Sequence, residues 1–247
     1  VLSKEELIQI SEFSNLKPWQ QEKHYVQCVA LAALAKEPLV FKGGTFLWFF
    51  CGLKRFSEDL DFTARGKIDG AKLVNDLSMT LEQFGIENSF KVLSDDDFGF
   101  SFRVNAKGPL YSGERSAVFL YVEISKREEL LERGVSFSLN TPYNLPTKVI
   151  SGMDLKEVAS EKVRAIMTRD KARDVFDSYF LAKKGIKLDL GLVEKKLAFY
   201  GKKFDKKSFI KKIDEKKSFY LKELKPMVFE ELPSFEEAKK TIKENWL

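Results

Sequence analysis

Residues 42–62, KGGTFLWFFCGLKRFSEDLDF, constrain the fold more than any other stretch, because a glycine turn, a short apolar run and two aspartates follow in that order. Pro38-Leu39-Val40-Phe41 before it reads as a short buried strand. Gly43 and Gly44 supply a turn whose backbone can approach an anion with no Cβ in the way. Thr45 is placed to cap a helix over about Phe46 to Leu53, whose free N–H groups and positive dipole end would face that anion. After Gly52 the period changes, and Arg55 to Thr63 reads as a strand. On it Asp59 and Asp61 leave one face while Leu60 and Phe62 enter the core. Two carboxylates beside a helix N-terminus suit divalent cations carrying a nucleotide phosphate. A plain loop and an exposed strand edge would use the same residues. The order, with thirteen residues between Thr45 and Asp59, favours a strand–turn–helix–strand unit.

The chain of 247 residues is long enough for one large domain or two modest ones. Its net charge is +5, and with neither an eighteen-residue apolar run nor a signal-like start it reads as a soluble cytoplasmic protein without membrane contact. The two cysteines, Cys28 and Cys51, sit in apolar helical patterns and read as buried thiols. His24 is the single histidine, which removes multi-histidine metal sites and leaves any histidine triad dependent on it.

Residues 4–36 read as two helices broken near Leu16-Lys17-Pro18, the second a packing element. Ala71 to Phe84 is an amphipathic helix ended by Gly85. Strands follow near 87–94, 98–106 and 116–125, with turns at Asp95-Asp96-Asp97 and Lys107-Gly108-Pro109. In SAVFLYVEIS, Glu123 stands among apolar residues and needs either a cationic side chain or a metal. A short helix at 126–133 and an extended stretch through Pro142 and Pro146 lead to Gly152, after which the pattern is helical. Asp154 and Glu157 form a capping-box pattern for a helix to about Arg169. Lys162 shares a face of that helix with Val158 and Ile166, either to meet an anion or to snorkel. A helix from Asp170 to Lys184 carries Asp170, Asp174 and Asp177 in a stripe, with Arg169 and Arg173 alongside. That stripe equally describes a surface ion-pair network.

KGGTFL and RFSEDLDF together resemble the first motif of the DNA polymerase β-like nucleotidyltransferases, and their wording is similar to the AbiEii/AbiGii toxin branch. Glu22-Lys23-His24-Tyr25-Val26 resembles the family's helix before the GGT turn, and SEKVRAIMTRDKARDVFDSYFL its downstream lysine and acidic motifs, either R-D-x-x-D through Asp174 and Asp177 or D-x-x-x-D through Asp170 and Asp174. The likeness covers roughly residues 20–185. It departs at His24, where an acid is common, and at Glu123, where the third ligand is an Asp in the family. It implies an α/β fold: a mixed-sheet nucleotidyltransferase domain over 1–150 and a helical bundle over 151–247. It further implies transfer of a nucleoside monophosphate from an NTP by the toxin of a type IV toxin–antitoxin or abortive-infection system, with a cognate antitoxin as partner. Asp59, Asp61 and Glu123 would hold Mg²⁺ or Mn²⁺. Lys42, Gly43, Gly44, Thr45, Arg55, Ser57, Lys162 and Asp177 would surround the nucleotide. Lys162 would add charge stabilisation, while Asp174 and Asp177 would position that lysine or touch the nucleotide.

Beyond Gly185 the family motifs end, and helices are expected near 189–200, 205–224 and 234–246. Lys187 to Lys225 holds thirteen lysines against six acids, a local +7 that leaves −2 for the rest of the chain. So concentrated a charge is either a solvated face or the footprint of an RNA acceptor, tRNA above all. A metal-dependent phosphohydrolase and a nucleotide- or RNA-binding module without turnover remain open as alternatives.

Overall fold

The computed structural model describes residues 1–127, 130–131 and 134–247. The chain divides into two compact units: Val1–Phe46, Glu58–Leu130 and Gly134–Gly152 form the first, and Leu47–Ser57, Leu131–Arg133 and Met153–Leu247 the second. Among the described residues no helix is long and apolar enough to cross a membrane.

The first unit is built on a mixed sheet. Its strands are β1 (Leu39–Lys42), β2 (Leu60–Ala64), β3 (Glu87–Asp96), β4 (Gly99–Lys107), β5 (Val118–Ser125), β6 (Val135–Leu139) and β7 (Lys148–Gly152), in the order β3-β4-β5-β2-β1-β7-β6. The β2/β5 and β1/β7 pairs are parallel and the others antiparallel. One face carries Phe41, Leu60, Phe62, Phe100, Phe102, Val122 and Ile124, all buried. Helices α2 (Pro18–Leu34) and α4 (Gly70–Gln83) pack on this side, the latter through Leu73, Leu77 and Leu81 at four-residue spacing. Helix α1 (Lys4–Ser14) lies on α2 and opens with a capping box between Ser3 and Glu6.

Burial claims polar residues of α2 as well. His24 Nδ1 lies 2.8 Å from the Tyr143 hydroxyl, and Tyr143 donates in turn to the Gln21 carbonyl. Burial pushes the His24 imidazole down to about 4. An unfolded chain accepts that proton near 6.5, so stability is full above this pH and falls as pH drops from about 6.5 to 4, by about 3 kcal/mol in all. Glu22, whose carboxyl burial pushes up, works in the opposite sense. The readout is therefore a difference: His24→Gln, melted across this range, should lose less stability on acidification than the parent, and parallel curves would contradict it.

The second unit is helical: the C-terminal part of α3 (Gly43–Cys51), then α5 (Leu155–Thr168), α6 (Ala172–Lys183), α7 (Leu190–Ala198), α8 (Lys206–Asp214), α9 (Lys217–Leu224) and α10 (Phe235–Trp246). Residues 47–57 join it through backbone. Phe56 N donates to Met227 O at 2.7 Å and Phe229 N to Lys54 O at 3.0 Å, and Trp48 packs on Phe56 and Phe229. Asp154 caps α5 as expected, but Glu157 is buried against Lys196 at 2.7 Å.

Several local expectations change. Strands β6 and β7 occupy the stretch around Pro142 and Pro146, which had no strand signal of its own. The helix expected over 126–133 lies in part outside the described residues. The helix expected over 205–224 is two, α8 and α9, parted at Glu215-Lys216. There the Lys216 side chain turns inward, donating to the Ile166 and Lys212 carbonyls, both at 3.1 Å, and burial lowers its pKa. An ammonium in the core needs several oxygens, and these meet it where α8 and α9 part. Asp170 lies exposed before α6, so the aspartate stripe is reduced to Asp174 and Asp177.

Candidate active site

In the first unit, the glycine turn and the acidic strand meet at the end of β1. Gly43 has φ +78°, a left-handed conformation, and α3 starts there. A Cβ on Gly43 would overlap Oδ2 of Asp61, so the missing side chain is the space that the carboxylate occupies. Gly43→Ala therefore meets both backbone strain and displacement of Asp61, and should lose at least about tenfold in turnover, equal to about 1.4 kcal/mol. Parent-like kinetics would show that Asp61 need not stand there.

Thr45 is not the cap expected of it. It lies inside the first turn, and its hydroxyl donates to the carbonyl of Asp59. Asp59 itself stands just before the strand, because the β1/β2 ladder ends at Lys42↔Asp61 and the β2/β5 ladder begins at Leu60↔Val122. The two aspartates consequently do not sit on one regular strand face. Asp61 instead has Glu123 as its register partner on parallel β5, with Lys42 on its other side. Neighbours in register point to the same face, so Lys42, Asp61 and Glu123 form a row across three strands. Glu123 is exposed, and its apolar neighbours Val122 and Ile124 enter the opposite face.

Two residues of α2 with no role at the site in the sequence reading hold the segment before Asp61. Lys23 and Gln27, one turn apart on α2, reach the Glu58 carboxylate at 2.6 Å and the Glu58 carbonyl at 2.9 Å. With Thr45 on the next carbonyl, Glu58 and Asp59 are fixed at successive peptide groups. The available signal was a polar pair at i, i+4 inside an otherwise apolar helix. Among the described residues no three His, Cys, Asp or Glu side chains gather closely enough to enclose an ion by themselves.

Arg55, Lys162, Asp174 and Asp177 come together in the second unit; Ser57 is half-buried in the segment after Arg55. Arg55 is fully buried and clasps Asp177 with Nε and Nη2, each at 2.7 Å. Lys162 Nζ lies 2.7 Å from Asp177 and 3.2 Å from Asp174, and Arg169 meets Asp174 at 2.7 and 2.8 Å. Burial alone would push both aspartates up. The cations outweigh it, Lys162 and Arg169 at Asp174, Arg55 and Lys162 at Asp177, and hold both carboxyls below the usual range. Lys162 bridges the two aspartates at the centre of this cluster, and Glu223 adds its charge on the Arg55 side.

A family model described as "Nucleotidyl transferase AbiEii toxin, Type IV TA system" matches residues 27–242. The chain belongs to this family. Solved structures are similar to this chain in fold. A Helicobacter pylori chain described as a candidate nucleotidyltransferase is 25% identical with a TM-score of 0.67, covering 92% of both chains. JHP933 from Helicobacter pylori is 26% identical with a TM-score of 0.65, over 90% of this chain and 88% of that one. MenT4, a nucleotidyltransferase toxin from Mycobacterium tuberculosis, shares the fold at 17% identity, with a TM-score of 0.67 over 99% and 88% of the two chains. No curated protein sequence matches. The AbiEii assignment makes the chain a toxin-family nucleotidyltransferase of mixed α/β fold.

Proposed function

We propose that the chain transfers a nucleoside monophosphate from an NTP to an RNA, tRNA being the expected acceptor, as the cytoplasmic toxin of a pair whose antitoxin restrains it. The observation that carries this reading is the register of Asp61 with Glu123 beside the glycine turn. Two carboxylates are what Mg²⁺ takes from a protein when substrate phosphates and water fill its other positions, so these residues fit a cation that enters with the nucleotide. Asp61 and Glu123 would hold Mg²⁺ or Mn²⁺, with Asp59 next to them. Bound there, the ion supplies neutralisation of the triphosphate and of the leaving pyrophosphate.

The protein's own residues do the positioning. Gly43 and Gly44 leave the first N–H groups of α3 open to a phosphate, with Lys42 before them and Thr45 fixing the turn to Asp59. The acceptor hydroxyl attacks the α-phosphorus, a new P–O bond forms, and the bond to the β-phosphate breaks. Lys162, held between Asp174 and Asp177, is the residue proposed to add charge stabilisation. Asp174, Asp177 and Arg55 are positioning residues, since their polar atoms are already engaged with one another and with Lys162. Ser57 stands beside Arg55 as a further candidate for nucleotide contact.

The RNA acceptor rests on the lysine excess of residues 187–225. Lys196 and Lys216 are buried and leave that face, while Lys203, Lys207 and Lys211 are exposed. Changing these three to Gln should flatten the dependence of log affinity on log salt by about 2, at roughly 0.7 to 0.9 per phosphate contact, with NTP binding unchanged. An unaltered slope would make these lysines a solvated face. Incubation with each labelled NTP, Mg²⁺ and total RNA tests the function. Label on RNA with pyrophosphate release is expected; inorganic phosphate, or binding without turnover, would overturn it.

A further inference from the structure

On the side of the sheet away from α2 and α4, the interior strand β5 presents two exposed aromatic rings. Phe119 and Tyr121 are 39% and 38% exposed, and they precede Glu123 on β5 in steps of two, hence on the same face. Their register partners on β4 are Asn105 and Arg103, and Lys91 and Ser89 continue the rows on β3. The Arg103 guanidinium lies over the Phe119 ring at 4.8 Å. Arg103 Nε and Asn105 Oδ1 are shielded from solvent and meet no hydrogen-bond partner in the protein. Aromatic rings in the middle of a sheet, flanked by a cation over one ring and by unused polar groups, are uncommon where only water is to be met.

We propose that this face is a stacking platform for the unpaired bases of the RNA acceptor, an inference that rests on the RNA reading of the function. Phe119 and Tyr121 offer flat apolar surface to bases, and Lys91 and Arg103 attract the backbone. The platform continues along β5 to Glu123. A single strand lying on it therefore reaches the carboxylate row, and its terminal hydroxyl is the group brought there. A duplex hides its base faces and should bind less well.

The test uses the full chain and a short fluorescein-labelled oligocytidylate, single-stranded or annealed to its complement. Phe119→Ala with Tyr121→Ala should weaken single-strand binding by about tenfold or more and raise the KM for acceptor RNA, with the KM for NTP and the melting temperature unchanged. Phe119→Trp with Tyr121→Trp should restore binding. If the parent labels RNA and the double alanine variant keeps its oligonucleotide affinity and acceptor KM, the platform is wrong and the transferase reading stands. If the parent labels no RNA, both fall. A changed sedimentation coefficient with unchanged oligonucleotide binding would assign the face to protein association and overturn the proposal.

Discussion

Asp61→Asn should abolish nucleotide transfer, by about a hundredfold or more, while leaving the melting temperature within about 2 °C of the parent. The carboxylate is half-buried, lies against Gly43, and has its register partner in Glu123, so amidation removes ligand charge from the row without opening a cavity. Asp59→Asn should also impair turnover, since its peptide is held by Thr45 and its neighbour by Lys23 and Gln27. Pyrophosphate release from labelled NTP at saturating Mg²⁺ reads both variants. Parent-like rates in the two would remove the carboxylate row from the chemistry.

The second large effect is on stability. Asp177→Ala removes the carboxylate that both buried Arg55 and Lys162 contact, and losing one member of a buried ionic network costs about 3–5 kcal/mol. Lys162→Met should behave differently. It leaves Arg55 with Asp177 and Arg169 with Asp174, a balanced set, and Met fills the space of the alkyl chain. Its unfolding midpoint in urea should stay close to the parent's while turnover falls at least about tenfold. A stable Asp177→Ala variant would show that the network is not structural. Full activity in Lys162→Met would leave the lysine without a role in transfer.

Much of the first unit was legible in the sequence, because β1, the glycine turn, α3 and β2 are consecutive and each is marked by local chemistry. The change from a 3.6 period to alternation places Leu60, Asp61 and Phe62 correctly. What failed depends on distant partners. Asp59 falls outside β2 because the ladders of β1 and β5 do not extend to it, a fact of pairing and not of propensity. Strands β6 and β7 exist by pairing with each other and with β1 across a Pro-containing segment. Arg55 to Glu58 read as the start of the strand, yet the neighbouring backbone of Lys54 and Phe56 bonds to Phe229 and Met227. Lys196 and Lys216 read as surface charges because nothing nearby in sequence announces Glu157, Glu161 or the Ile166 carbonyl.

The close fit of Gly43 to Asp61 makes the two acids of the row unequal in what they tolerate. At position 61 the carboxylate packs on the bare Cα of Gly43, so a Glu there would carry its oxygens away from the turn although the charge is the same. Position 123 lies on an open face, where a longer acid can extend and withdraw. A glutamate at 123 is thus a change of reach that the sheet can absorb, whereas side-chain length at 61 is set by a glycine eighteen places earlier in the chain.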